Sequence, residues 1–154
     1  MNYYYHERAF SIIEFAIILI LVVLVFGIVS PAIVKMAESA KADVADSDIQ
    51  DISDAIDDYY KENWDYPDSL ADIFSPVPVD PWGNPYVYTK IQGVIPKPIG
   101  MLRKDKNLVP INSDYDLYSR GPDGMSAPAL TAEISRDDIV RGRNGNFFGY
   151  ATEY

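Results

Sequence analysis

The chain has 154 residues, 48% of them hydrophobic, which suits one soluble domain with one further segment. Its formal net charge of −10 and its pI of about 4.4 argue against nucleic acid as the primary partner, because nucleic-acid-binding surfaces are basic. It has no cysteine and its one histidine is His6, so the usual catalytic triads and zinc sites are unavailable and we expect no enzyme.

An uncharged apolar segment dominates the N-terminal part of the chain. Residues 15–34 carry no charge, and twenty helical residues rise about 30 Å, enough to cross the core of a bilayer. Glu14 stands at the head of this segment, where a carboxylate is costly unless a partner neutralises it. Cleavage between Ala9 and Phe10 would create such a partner, the new N-terminal amine. An ordinary signal anchor that contains a glutamate is the alternative interpretation.

This arrangement resembles the N-terminal signal of type IV pilins and of the pseudopilins of type II secretion. Those proteins have a short polar leader, a small residue before the cut, Phe after it, and Glu as the fifth mature residue. The resemblance implies that a prepilin peptidase cuts between Ala9 and Phe10, that Phe10 is then N-methylated, and that Glu14 pairs with its amine during assembly. Pro31 falls where these pilins carry a helix-breaking proline. The departures are Ala9, where the family usually has Gly, and a leader with only Arg8 as a firm positive charge.

One long helix is predicted from about Ser11 to about Asn63. Up to residue 34 it is apolar on all sides, which indicates burial in lipid or in a helical bundle, and Pro31 predicts a kink or local melting. From Lys35 onward the helix is charged except for one apolar stripe, which should pack on a globular domain. The stripe consists of Ala42, Ala45, Ile49, Ile52, Ile56 and Tyr59. Three segments follow: a leader (1–9), a transmembrane or filament-core helix (10–34), and an amphipathic helix half with a globular domain (35–154).

Aspartates occupy the other faces of the second half of this helix. They could be interpreted as a cation site, but they point in several directions around the helix, which favours a solvated face. The set is Asp43, Asp46, Asp48, Asp51, Asp54, Asp57 and Asp58.

The remainder of the chain predicts a small sheet with long loops. Asp68 or Ser69 is a plausible N-cap for a short helix, and residues 86–89 and 115–119 are rich in β-forming residues. The region from residue 121 to the end is expected to be loop-rich, and its glycine-rich run at 142–146 is interpreted as a loop, not a phosphate cradle. The expected fold class is α+β, with the long helix packed on a small antiparallel sheet.

A second motif lies just before the first predicted strand. Proline, glycine and asparagine make it a turn, and its tryptophan can cover the domain core. The run is Asp80, Pro81, Trp82, Gly83, Asn84 and Pro85. It is similar to a signature of the major pseudopilin of type II secretion systems, and segments at 59–67, 115–124 and 137–139 resemble that family in the same order. The resemblance implies the type IV pilin-like fold.

The same resemblance implies a calcium site in the loop after the predicted strands. Calcium takes about six to eight oxygen ligands, and such an ion would tie down a long loop in a chain without disulfides. The ligands implied are the carboxylates of Asp123, Asp137 and Asp138 and the carbonyls of Arg120 and Met125. This sequence departs from the family in the longer gap at 126–136, and Arg136 could instead neutralise Asp137. Turn aspartates without a metal are the alternative.

The expected function is that of a structural subunit: the major pseudopilin of a type II secretion-like system that drives protein export across the outer membrane. The resemblance implies a homopolymer in a helical filament that works with an inner-membrane assembly platform and minor pseudopilins. Before assembly the chain would cross the inner membrane once, with its globular domain in the periplasm. Two alternatives are the major pilin of a surface type IV pilus, and a membrane-anchored calcium-binding domain that does not polymerise.

Overall fold

The computed structural model describes residues 11–95 and 99–154. The predicted leader and its cleavage site at Ala9 and Phe10 lie outside the described residues, as do the side chains of residues 25, 26 and 28–30. Contacts divide the chain into two units between Ser39 and Ala40, and each unit is described by itself.

Helix α1 spans Ile12–Asn63 and includes Pro31, so the local melting expected there is absent from the helix as described. Its start is capped by Ser11 and Glu14, which have the sequence spacing of a capping box: a serine precedes the helix and a glutamate follows three residues later. The Ser11 backbone N–H donates to Oε2 of Glu14 at 3.0 Å, and the Ile13 N–H donates to Oγ of Ser11 at 3.3 Å. Glu14 therefore has a local structural role that the sequence analysis did not assign to it.

The first half of α1 presents apolar side chains that nothing in the described structure covers. Every large apolar side chain from Ile12 to Leu24 is exposed, between 44% and 88%. Ile33, Val34 and Met36 continue this surface. Judged over the described residues, no helix combines the length and the apolar character needed to cross a membrane.

The second half of α1 carries the predicted apolar stripe, and the structure confirms it. Five stripe residues are between 0% and 4% exposed: Ala42, Ala45, Ile49, Ile52 and Ile56. Tyr59 is only half-buried. The stripe forms one core cluster with Leu70, Tyr115, Leu117 and Ile139. Ser69 precedes the short 3₁₀ helix Leu70–Asp72, and its N–H donates to Oδ2 of Asp72 at 2.8 Å, as expected for the predicted N-cap.

The globular unit contains a four-stranded antiparallel sheet in the order β1-β2-β3-β4. The strands are β1 Val87–Lys90, β2 Tyr115–Ser119, β3 Ile139–Gly142 and β4 Phe147–Tyr150. The first two match the predicted strands, β1 with a shift of one residue. The last two lie in the region expected to be loop-rich, and the glycine-rich run forms the turn between them. That turn has positive φ at Arg143, Asn144 and Gly145.

Each face of the sheet has its own core. Ile139 packs toward α1, whereas its neighbour Val140 belongs to a cluster with Ile111, Leu130 and Ala151. This alternation follows from the two-residue period of a strand. Three partly buried aromatic rings pack on the second cluster: Tyr118, Phe147 and Tyr154.

A buried arginine joins α1 to the sheet. The Arg141 guanidinium lies 3.9 Å from the centre of the Tyr115 ring, donates from Nε to Oγ of Ser53 at 3.1 Å, and forms an ion pair with Asp114 at 2.7 Å. Its partner Ser53 lies on α1 and is hydrogen-bonded to the Tyr115 hydroxyl at 2.8 Å. Polar contacts therefore fix the position of the helix stripe over strands β2 and β3.

Replacing Ile56 by alanine should test how far the domain depends on the stripe. Ile56 is 0% exposed, so Ile56→Ala removes buried methylenes and leaves a cavity, which costs about 2–5 kcal/mol. Val44, which is 51% exposed on the same helix, provides the matched control, and Val44→Ala should leave stability nearly unchanged. Denaturant unfolding of the full chain in detergent, followed by tyrosine near-UV circular dichroism, measures both. Equal losses of stability in the two variants would contradict burial of the stripe in the domain core.

Candidate functional site

The predicted turn before β1 is organised by the carboxylate of Asp80. Asp80 is only 3% exposed, and its Oδ1 accepts the backbone N–H groups of Trp82 at 3.1 Å and Asn84 at 2.8 Å. Its Oδ2 accepts the Ser119 hydroxyl at 2.6 Å, which attaches the turn to the end of β2. The buried carboxylate is thus fully occupied with structural hydrogen bonds, and the motif serves to fix the loop.

Asn84 extends this arrangement to the turn that carries Asp123. Its Nδ2 donates to the carbonyl oxygen of Gly121 at 3.1 Å. Gly121 has φ +63, and a Cβ added there would lie 2.4 Å from the carbonyl oxygen of Asp137, so only glycine permits this approach. The Asp80 turn, the glycine turn and Asp137 therefore form one packed unit.

The structure places the residues Asp123 and Asp137 in contact and directs the third predicted carboxylate ligand, Asp138, elsewhere. The Asp123 N–H lies 3.4 Å from Oδ2 of Asp137, and Oδ1 of Asp123 accepts the N–H of Met125 at 2.7 Å. Both side chains are at least partly accessible. Asp138 is 0% exposed, and its Oδ2 accepts from the Ser126 hydroxyl at 2.7 Å and from the Arg103 guanidinium at 2.5 Å.

Arg103 is the residue of this site that sequence reasoning missed. It is 1% exposed, and besides Asp138 it donates to Oγ of Ser126 and to the carbonyl oxygen of Ala127. Its guanidinium lies 4.4 Å from the centre of the Tyr118 ring, on β2. Sequence offered no signal for it, because it lies in a proline-interrupted stretch with no periodicity. It ties the long 126–136 segment to the sheet.

Burial and pairing act on Asp138 in opposite directions. Burial raises the pKa of Asp138 to about 6, while the Arg103 charge and the Ser126 hydroxyl oppose that rise. A guanidinium at 2.5 Å favours the ionised form, so Asp138 is a carboxylate at neutral pH. The remaining oxygen of Asp138, Oδ1, is buried and has no hydrogen-bond partner among the described residues. The same holds for Nε of Arg103. The ion pair therefore retains one acceptor and one donor that form no hydrogen bond with the described residues.

The predicted calcium ligands fit a cation only in part. The Asp137 carboxylate contacts the backbone of Asp123, with Arg120 and Met125 on the same turn, but the Arg103 guanidinium already neutralises Asp138. Across residues 11–95 and 99–154, no three Asp, Glu, His or Cys side chains are grouped closely enough to hold a metal ion. Calcium binding at this turn stays a prediction of the resemblance.

In comparisons with known proteins, no family profile, no curated protein and no solved structure matches the chain.

Breaking the buried pair should destabilise the domain strongly. Arg103→Met leaves Asp138 buried without a counter-charge, and such losses cost about 3–5 kcal/mol. Adding Asp138→Leu to Arg103→Met should recover part of this loss, because the unpaired charge is then gone. Lys61→Met, which breaks the exposed pair with Asp58, serves as the control and should have no measurable effect. Additive losses in the double variant would contradict a direct pair.

Calcium dependence can be measured separately from the ion pair. If the resemblance holds, excess calcium raises the melting temperature relative to chelator, by a stabilisation of about 2.7 kcal/mol at a hundredfold excess over Kd. Asp123→Ala should abolish that difference, whereas Asp138→Asn should keep it, because the Asp138 carboxylate is directed to Arg103. If the wild type melts at the same temperature in calcium and in chelator, the calcium prediction is wrong and Arg103 alone anchors the 126–136 segment.

Proposed function

We propose that this chain is a structural subunit of a helical filament, the major pseudopilin of a type II secretion-like system. The observation that carries the proposal is the uncovered apolar surface of α1 from Ile12 to Leu24. Together with the Ala9–Phe10–Glu14 pattern and the turn at 80–85, it favours a subunit whose first helix is buried against copies of itself.

The apolar surface must be covered in the working state of the protein. Burying one large aliphatic side chain contributes about 1.5–3 kcal/mol, and the side chains from Ile12 to Leu24 lie on all sides of the helix. A single partner surface would cover one side only, whereas lipid or a ring of neighbouring helices covers all of them. Before assembly the bilayer of the inner membrane takes this role, and in the filament the helices of neighbouring subunits replace it.

Glu14 is central to the change from lipid to filament. In the single chain it caps the helix by accepting the N–H of Ser11. After cleavage by a prepilin peptidase, the amine of Phe10 lies four residues before Glu14 in sequence, and the carboxylate can pair with it in its own chain or in a neighbour. Such a pair lowers the cost of placing both charges in an apolar bundle.

The globular unit serves as the outer surface of the filament in this proposal. Its buried polar residues, Asp80, Arg103, Asp138 and Arg141, form hydrogen bonds to side chains and backbone groups of the same unit. They fix loops and perform no reaction. The expected partners are further copies of the chain, minor pseudopilins and the inner-membrane assembly platform, and the filament lies in the periplasm.

Filament formation and processing test the proposal together. Electron microscopy of the membrane fraction from cells that express the chain with its assembly system should show filaments, and intact-mass analysis should give a subunit that lacks residues 1–9 and carries one methyl group. Filaments recovered in quantity by shearing intact cells would favour the surface pilus instead. A subunit that stays monomeric in the membrane would overturn both forms of the proposal.

Two substitutions at Glu14 separate capping from charge pairing. Glutamine can still accept the Ser11 N–H, so Glu14→Gln keeps the cap and removes only the charge, whereas Glu14→Ala removes both. If pairing with the Phe10 amine drives assembly, both variants insert into the membrane but lose most of their filaments. Filament yield normalised to membrane-inserted subunit measures this. Normal filament yield from Glu14→Gln would contradict charge pairing and leave Glu14 with its capping role only.

A further inference from the structure

A basic cleft opens on the side of the sheet opposite α1. It has a volume of about 620 Å³ and lies between the loop at 105–106, the loop at 130–136 and the C-terminal 3₁₀ helix Ala151–Glu153. Three cationic side chains line it: Lys106, Arg136 and Arg143. The buried residues Leu130 and Ala151 are part of its lining, and both belong to the core cluster on this face.

These three cations are grouped in one cleft although the chain is strongly acidic. With a net charge of −10, carboxylates are abundant, and Lys61, Lys90, Arg103 and Arg141 each pair with one. None of the three cleft cations forms an ion pair with any residue that the structure describes. The one acid in the lining is Asp105, whose Oδ1 instead accepts the N–H groups of Asn107 and Val109 at 2.9 and 2.8 Å.

The Arg143 side chain lies near two aromatic rings. Its guanidinium carbon lies 5.0 Å from the centre of the Tyr154 ring and 5.9 Å from that of Phe147. The backbone at Arg143 has φ 52, fixed by the turn between β3 and β4. The cleft therefore carries an arginine that contacts aromatic rings and has no acidic partner among the described residues.

The matching negative surface is on α1. Four of its aspartates are exposed and fall on one side of the helix at spacings of eight, three and four residues. They form the acidic stripe: Asp43, Asp51, Asp54 and Asp58, of which Asp58 also pairs with Lys61 at the end of the helix. The other aspartates of α1 are engaged within the chain, Asp46 with Gln50, Asp48 with Tyr86, and Asp57 with Tyr115.

We propose that the basic cleft of one copy binds the acidic stripe of α1 in a second copy. The inference rests on the proposed filament function, and it names the contact between globular units. Two different surfaces on opposite faces of one domain make a front-to-back contact. Such a contact repeats along an open helix and does not close into a two-fold dimer. Charge complementarity also fixes which neighbour is accepted.

Charge reversal and its rescue test this contact. Arg136→Glu and Asp54→Arg change exposed side chains, so each variant should fold, as near-UV circular dichroism will check. Each alone should lower filament yield about tenfold or more, because an attraction becomes a repulsion. The two combined should restore most of the yield. The matched control combines Arg136→Glu with Asp68→Arg, which has the same net charge, and it should give no rescue because Asp68 is exposed outside α1.

Cross-linking gives a second measurement, since the chain contains no cysteine of its own. Co-expression of Arg136→Cys and Asp54→Cys chains should give disulfide-linked dimers in filaments, whereas Arg136→Cys with Asp68→Cys should not.

The outcomes separate this inference from the proposed function. Wild-type filaments whose yield is unchanged by both reversals would overturn the contact and leave the filament proposal standing. Loss of inorganic phosphate binding in Arg136→Glu, with assembly unchanged, would instead make the cleft a small-anion site. A wild-type chain that forms neither filaments nor cross-linked dimers would overturn the function and the contact together.

Discussion

Two buried guanidinium groups, one on each face of strand β2, hold together a domain that contains no disulfide. Arg141 stacks on Tyr115 and ties α1 to the sheet through Ser53 and Asp114. Arg103 stacks on Tyr118 and ties the 126–136 segment through Asp138. Residues three apart in a strand point to opposite faces, so β2 is clamped from both sides. Two exposed surfaces, the glycine turn and the basic cleft, are formed by loops that depend on these two buried arginines.

Such clamps contribute more to the uniqueness of the fold than to its net stability. Removing two charges from water costs nearly as much as their attraction returns, so the pair as a whole adds little free energy. A wrong loop conformation, however, would leave a guanidinium or a carboxylate buried alone, which is far more costly. The planar group of arginine also meets several acceptors at once, and Arg103 uses this to contact Asp138, Ser126 and Ala127 together. Lysine could not supply that geometry.

The sequence predicted those parts of the fold that depend on interactions between residues close together in the chain. The stripe from Ala42 to Ile56, the end of α1 at Asn63, strand β2 and the cap at Ser69 all follow from periodicity, propensity or capping. Strands β3 and β4 escaped prediction because each has four residues and contains a glycine, too short for an alternating pattern. Arg103 and Arg141 escaped because their carboxylate partners lie 35 and 27 residues away. At Glu14 the capping box was present in the sequence, but the apolar segment after it directed the interpretation to charge pairing.

Gly121 shows how little freedom this arrangement leaves to sequence change. A methyl group at that position would overlap the carbonyl oxygen of Asp137, and the surrounding backbone is fixed by Asn84 and Ser119. A substitution there would have to be accompanied by a shift of the 137–138 backbone, which would move Asp138 away from Arg103. Gly121 is thus constrained to remain glycine, although the residues that follow it in the turn, Pro122 and Asp123, are exposed. In sequences that diverge from this one, we expect Gly121 to stay conserved within loops whose other positions vary.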